Sequence, residues 1–312
     1  MQALVTGGAG FIGHHLVRAL VERGDDVTVL DDLSSGQVAR LDPVRDRIEF
    51  VEGSILDQAA LERAVAGAEV VFHEAALASV AKSVADPQRT DDVNVGGTIG
   101  IMLAAARHRV RRVVFAGSSA VYGTSRQLPS DEEQRASPTS PYGVSKLAGE
   151  QYTHALGRLH AVETAALRYF NVYGPGQDPA SEYAAVIPKF ITAVVGGGRP
   201  TIYGAGTISR DFVYVDDVVA ANILAAQSTS PSVLTCNVAT GVATTLTELL
   251  DEICFAAGRT VEPIFGPPRE GDIPESRADI GAARRALGYE VTTTLREGIG
   301  RTVAWYRGLP PA

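Results

Sequence analysis

Two short stretches of this chain carry residue types and spacings that could do chemistry. In Pro138-Thr-Ser-Pro-Tyr142-Gly-Val-Ser-Lys146, a tyrosine and a lysine stand four apart. Ser140 and Pro141 fit an N-cap and a first helical residue, which places Tyr142 and Lys146 on one helical face. An ammonium beside a phenol favours the phenolate, so the spacing predicts a Tyr142 pKa lowered toward neutrality and a general base for a hydroxyl proton. Lysine suits that task because it is a compact point charge, whereas arginine is a planar fork. Of 28 basic residues only three are lysines, Lys82, Lys146 and Lys189. Random placement of ten tyrosines and three lysines gives about 0.1 pairs at this spacing, so chance is a poor explanation. Upstream, Ser118 and Ser119 follow an apolar strand-like run. Either hydroxyl there could hydrogen-bond the same substrate oxygen as the tyrosine.

The second stretch is Thr6-Gly7-Gly8-Ala9-Gly10-Phe11-Ile12-Gly13, between the first strand pattern and the first helix pattern. Gly7, Gly10 and Gly13 supply a tight turn, close backbone approach to a pyrophosphate and close helix–sheet packing. The N–H groups opening the helix, around Phe11 and Ile12, then offer a positive dipole end to phosphate. Asp31, with Asp32 behind it, stands about 20 residues on, where a carboxylate accepts from ribose hydroxyls. No Lys or Arg occurs from 31 to 39. A 2′-phosphate would meet two carboxylates there, which favours NAD over NADP. No metal is expected: the histidines, including the pair His14-His15, lack ligand spacing, and Cys236 and Cys254 are isolated.

The elements that must hold these residues alternate. Short apolar runs at 3–5, 27–30, 48–51, 70–72, 113–116 and 164–170 are separated by helix-length stretches at 11–23, 58–66, 88–108 and 142–160. Strands buried on both faces and alternating with helices predict a doubly wound parallel α/β sheet. After Phe170 the texture becomes Gly/Pro-rich. Expected there are helices at 184–195, 216–227, 245–257, 280–287 and 295–307, strands at 211–215 and 233–237, and a loop from Pro263 to Pro274. The organisation read from this is a Rossmann domain over 1–170 and a smaller mixed α/β substrate domain over 171–312, with 211–238 returning to the first.

The 312 residues include 45% hydrophobic and 21% charged types, which excludes a disordered or fibrous chain. A net charge of −8 disfavours a general nucleic-acid or anionic-membrane binder. No apolar run reaches about 18 residues, and a strand pattern from residue 2 leaves no room for a signal peptide. A cytoplasmic location is expected.

With the glycine signature, Asp31, Asn94, the serines and Tyr142/Lys146 assembled, the chain resembles the extended short-chain dehydrogenase/reductases, in their nucleotide-sugar epimerase/dehydratase branch. Asn94-Val-Gly-Gly-Thr, Arg168-Tyr-Phe-Asn-Val-Tyr-Gly-Pro, Arg210-Asp-Phe-Val-Tyr-Val-Asp-Asp and Arg269-Glu-Gly-Asp extend the resemblance over nearly the whole chain. It implies NAD held also by Ser54, Ile55, Ala75, Asn94, Lys146 and Tyr169, with Phe170 nearby. It implies a UDP-sugar substrate contacted by Asn171, with Arg210 and Arg269 on the diphosphate and Asp272 on the nucleoside. Dehydratases of the branch carry acidic residues after the strand-five Ser/Thr, where this chain has Ser119 and Ala120. That leaves the set for reversible oxidation of a carbinol, hence 4-epimerisation.

Within the branch the chain is most similar to 4-epimerases of UDP-N-acetylhexosamines and UDP-glucose. Ser276 takes the position where UDP-glucose-restricted members carry tyrosine, and Gln177, Ala185 and Ala78 match small or polar pocket positions. Lys82, in a loop after the fourth strand, is a further candidate for phosphate or substrate, and Lys189 a solvated helix position. The alternatives are a UDP-glucose-restricted enzyme, a UDP-glucuronate 4-epimerase, and a non-catalytic dinucleotide sensor. The resemblance also implies a homodimer through helices at 88–108 and 142–160. Two departures stand out: Ser54 replaces an aspartate expected to hold the adenine amine, and Glu74 replaces an apolar or amide residue.

Overall fold

The structure is a computed structural model that describes residues 1–124, 127–179, 186–229, 232–268 and 273–308. The first half runs β1 (Gln2–Thr6), α1 (Phe11–Glu22), β2 (Asp26–Asp31), β3 (Ile48–Glu52), α2 (Gln58–Val65) and β4 (Val70–His73). It continues through α3 (Val80–Ala85), α4 (Pro87–Asp91), α5 (Gly97–Arg107), β5 (Arg112–Ser118), α6 (Pro141–His160) and β6 (Glu163–Tyr169). The second half holds β7 (Asn171–Tyr173), α7 (Val186–Val195), β8 (Thr201–Tyr203), β9 (Ser209–Tyr214), α8 (Val215–Gln227) and β10 (Val233–Val238). β11 (Ala243–Thr245), α9 (Leu246–Ala257), β12 (Ile264–Gly266), α10 (Gly281–Leu287) and α11 (Leu295–Arg307) complete it.

Seven strands form one sheet in the order β3-β2-β1-β4-β5-β6-β10, every pair parallel. The apolar runs become its strands because both faces are covered: Val70 to Phe72 and Val113 to Phe115 are almost fully buried. One apolar cluster joins α1, α8 and one face of the sheet, and another joins α2, α5 and the opposite face. Strand order reverses between β1 and β4, the switch point where such sheets bind ligands beyond their carboxyl ends. Gly7, Asp31, Ser54, Glu74, Ser118 and Tyr169 all stand at or just past those ends.

A third cluster fills the second half, from Tyr173 to Tyr306. Two small sheets flank it, β11-β9-β7 and β12-β8. The expected strand at 211–215 lies in the first of these, so within 211–238 the return to the large sheet is made by α8 and β10, and α10 packs there as well. The segment 263–274, expected as a loop, contains β12, whose backbone pairs with β8 in parallel. The expected helix at 88–108 is interrupted: α4 and α5 are joined by one π-helical turn, Asp92–Gly96. Lys82 sits exposed on α3, not in a loop. Among the described residues, no helix is long and apolar enough to cross a membrane.

Candidate active site

The glycine loop is a backbone cradle. Gly7 has φ +68°, and a Cβ there would lie 2.8 Å from the Ala75 backbone; one on Gly13 would lie 2.1 Å from the Gly7 carbonyl. Helix α1 follows with no side chain capping its N-terminus, whereas α2, α6, α9 and α11 are capped by Asp57, Ser140, Thr245 and Thr294. Open N–H groups at a helix start, approached by backbone without side chains, form a seat for phosphate. Asp31, 7% exposed, accepts from Ala9 N–H at 2.9 Å and Leu33 N–H at 2.8 Å. Each carboxylate oxygen keeps lone-pair capacity for a ribose hydroxyl. Burial pushes the Asp31 carboxyl up, and these two N–H donors pull it down.

Arg40, one residue beyond the cation-free stretch, comes near Asp31 in the fold, but it donates to the Ala9 and Gly176 carbonyls at 3.2 and 2.9 Å. Asp32 is exposed and accepts from Ser34 N–H. The Ser54 hydroxyl accepts from Leu56 N–H at 3.2 Å, and buried Ile55 packs on Gly97.

Helix α6 starts as its sequence predicts, with Ser140 accepting from Gly143 N–H. Its first turn presents Tyr142, whose phenol is hydrogen-bonded by Ser118 from the end of β5. Ser118 acts on the phenol, and its Oγ also accepts from Ala120 N–H at 3.2 Å, whereas Ser119 opens the following 3-10 turn. Lys146, 4% exposed, donates from Nζ to the Ala116 carbonyl at 2.9 Å and lies over the Phe115 ring. Asn94, in the π-turn, ties α6 to the β4 loop. Its amide donates to Ser145 Oγ at 2.9 Å and to the Leu77 carbonyl, while its oxygen accepts from Leu77 N–H.

The electrostatics differ from the expectation of a lowered tyrosine. Burial pushes the Tyr142 phenol above its ordinary value, the bond from Ser118 acts downward, and the Glu74 charge acts upward. Burial also lowers the Lys146 ammonium to about 8, against the raising effect of Glu74. Desolvation of a phenol outweighs its neighbours here, and the charge acting on Lys146 is a carboxylate that sequence spacing could not reveal. Glu74 accepts from the Tyr169 hydroxyl at 2.7 Å. Its own carboxyl is pushed up to about 7 by burial, against the pull of Tyr169 and Lys146.

A cavity of about 490 Å³ opens in the second half, lined among others by Asn171, Gln177, Lys189, Arg199, Tyr203 and Arg210. Of the expected substrate residues, the structure brings together Asn171, Gln177 and Arg210. Arg210 donates to the Ser209 and Ile273 carbonyls, and Asn171 to the Asp211 carbonyl. The Gln177 Oε1 is buried without a hydrogen-bond partner. Ser276 is held beside β9, its N–H on the Ser209 carbonyl, and does not line the cavity. Lys82 and Ala78 are exposed and do not line it either. Ala185, Arg269 and Asp272 lie outside the described residues. Lys189 is exposed on α7, as expected of a solvated helix position, and it also lines the cavity, as does Arg199, which sequence reasoning did not single out. The only available signal was lysine scarcity, which did not distinguish the three.

A model of the NAD dependent epimerase/dehydratase family matches residues 3–239. The chain belongs to that family. It is 42% identical to the UDP-glucose 4-epimerase of Mycolicibacterium smegmatis, covering 98% of this chain and 99% of that one. A UDP-N-acetylglucosamine 4-epimerase from Methanobrevibacter ruminantium, solved with UDP-N-acetylmuramic acid, superposes with TM-score 0.94 at 38% identity over 98% of each chain. The UDP-glucose 4-epimerase of Thermus thermophilus, solved with NAD, gives TM-score 0.89 at 36% identity over 99% of each. The cradle at Gly7, Gly10 and Gly13, the uncapped start of α1 and the carboxylate of Asp31 fit the NAD that the family uses.

Proposed function

We propose that the protein is an NAD-dependent UDP-hexose 4-epimerase, interconverting C4 epimers through a 4-keto sugar and acting on UDP-GlcNAc/UDP-GalNAc as well as UDP-glucose/UDP-galactose. The observation that carries the reading is the meeting of Ser118, Tyr142, Lys146 and the glycine cradle at one end of the sheet, next to a cavity with cationic walls. Tyr142 takes the proton of the C4 hydroxyl and returns it, within hydrogen-bond reach of Ser118. Lys146 supplies the positive charge that a phenolate needs, and Asn94 holds the loop and helix that position it. NAD, held by the glycine cradle and Asp31, would supply the hydride acceptor. Ser119 and Ala120 leave no acid for elimination, which separates this chain from the dehydratases of the branch.

Arg210, Lys189 and Arg199 give the cavity the charge for a nucleoside diphosphate, with Asn171 and Gln177 as polar contacts. Arg269, Asp272 and Ala185 are assigned to the same ligand on the resemblance alone. The two-part organisation, a cofactor unit to about residue 170 and a substrate unit beyond it, follows from this division of ligands. A homodimer through α5 and α6 is part of the reading. Exposed Val144, Tyr152 and Leu159 share one side of α6, and sedimentation at the mass of one chain would refute it. A cytoplasmic enzyme is supported by two free buried cysteines.

The substrate is tested by equilibrating the protein with UDP-GlcNAc, UDP-glucose and UDP-glucuronate separately and following the anomeric protons. Conversion of the first two supports the reading. Conversion of UDP-glucuronate alone replaces it, and bound NAD without turnover of any of the three favours a sensor.

A further inference from the structure

Glu74 is a charged group at the catalytic end of the sheet that the proposed scheme leaves without a task. Its backbone is fixed where β4 ends, with its N–H on the Thr6 carbonyl at 3.2 Å. Its carboxylate is fixed by a hydrogen-bond chain with a definite direction. Asn222, fully buried on α8, donates one amide hydrogen to the Val218 carbonyl and the other to the Tyr169 hydroxyl at 2.7 Å. Tyr169 therefore aims its single proton at Glu74. An apolar residue at this position would fill the space without the desolvation that a carboxylate incurs. The groups facing Glu74 are Lys146 and Tyr142 from α6 and Tyr169 from β6. Next to it on β4, His73 is neutral, lowered to about 3 by burial, with its ring nitrogens on Thr6 and Thr98. Asn222 carries no charge.

We propose that Glu74 is a positioning residue for the acid–base pair: its carboxylate, held by Tyr169, is the shared counter-charge that sets where on the pH scale Lys146 and Tyr142 hold the protonation states the reaction needs. The inference rests on the reading of Tyr142 as base and Lys146 as its cationic partner. A negative charge raises the pKa of both neighbours, keeping Lys146 protonated to higher pH and the Tyr142 phenol protonated to higher pH as well. Removing it lowers both. The working window of the pair moves toward acid as a unit, without closing. Glu74 itself titrates at about 7, so the counter-charge is partly withdrawn just below neutrality.

The test is the pH dependence of kcat/KM for wild type, Glu74→Gln, Glu74→Asp, Tyr169→Phe and Tyr142→Phe, each with bound NAD verified. For Glu74→Gln both limbs of the bell are expected to move to lower pH by about 0.5–1 pH unit, the direction set by loss of one nearby charge. Glu74→Asp restores most of the wild-type position. Tyr169→Phe keeps the carboxyl but removes the donor that favours its ionised form, so its bell moves the same way by less. That variant carries the test if Glu74→Gln does not fold. A bell lowered in height but unmoved, or moved toward alkali, overturns the inference. Near-wild-type turnover in Tyr142→Phe sinks the acid–base reading instead. An inactive Tyr142→Phe beside an unmoved Glu74→Gln bell sinks only the role of Glu74.

Discussion

In the proposed reaction Tyr142 gives up a proton although its surroundings oppose the charge that results. Burial raises the phenol, and only the Ser118 bond acts clearly in the opposite sense within the chain itself. Positive charge has to be supplied for the base to form, a part the proposed scheme gives to Lys146. Tyr142→Phe removes the proton acceptor while leaving the cradle untouched. We expect turnover to fall by roughly 10²–10⁴-fold with NAD retention unchanged, measured by single-turnover assay and by bound-nucleotide content. Loss of NAD together with activity would assign the tyrosine a binding role. At this scale the sequence was informative about identity and silent about charge. Tyr142, Lys146 and Ser118 are legible because an i,i+4 pair after a capped helix start, and a serine ending a strand, are local patterns. The raised phenol and the role of Glu74 are not, since they depend on β4, β6 and α8 converging from residues 74, 169 and 222.

Between elements, a second chain of hydrogen bonds ties the cofactor cradle to the turn that carries Asn94. Thr98 donates to the Asn94 carbonyl at 2.6 Å, so its oxygen accepts from His73 Nε2; His73 Nδ1 then accepts from Thr6, whose oxygen accepts from Ala75 N–H. The directions fix one neutral tautomer. Protonating the ring would put a second donor against the Thr6 hydroxyl in a dry site, and burial accordingly lowers His73 to about 3. The folded-state pKa lies below the unfolded value of 6.5, so the unfolded chain binds more protons between those limits. Stability is present above pH 6.5 and is lost as pH falls toward 3, with a slope of up to about 1.4 kcal/mol per pH unit from this residue.

His14 is lowered to about 3 in the same way and adds to the slope. Urea unfolding at pH 7.5 and pH 5 should show the loss, and His73→Gln should flatten it whatever its effect at pH 7.5. An unchanged slope in that variant would place the acid sensitivity elsewhere. The π-turn at the end of this chain was invisible in the sequence. One extra residue per turn leaves the apolar periodicity of 88–108 almost intact, so a continuous helix and a helix with a functional bulge look alike.

The two halves of the molecule meet where α1 and the glycine loop face the segment that follows β7. Arg40 bridges the Ala9 carbonyl of the glycine loop to the Gly176 carbonyl, and His15 meets the Pro175 carbonyl at 2.8 Å. The parallel sheet was legible because its strands are continuous apolar runs. The small sheets were not, because strands of three residues carry no period, and β7, β8, β11 and β12 are each that short. The same brevity hid the cavity, whose cations come from β9, from α7 and from the turn before β8. Its wall includes neither Tyr142 nor Lys146, so a charge there acts on binding more than on the chemical step. Lys189 separates the two. Interactions made equally in the ground and transition states change KM and leave kcat alone. Lys189→Ala should therefore raise KM for the UDP-sugar by about 10-fold, the scale of one charge-assisted hydrogen bond, and hold kcat within about threefold. Inhibition by UDP alone should weaken by the same factor if the diphosphate and not the sugar meets the lysine. A fall in kcat at unchanged KM would instead bring Lys189 to the reacting sugar, and an unaltered KM would move the diphosphate out of this cavity.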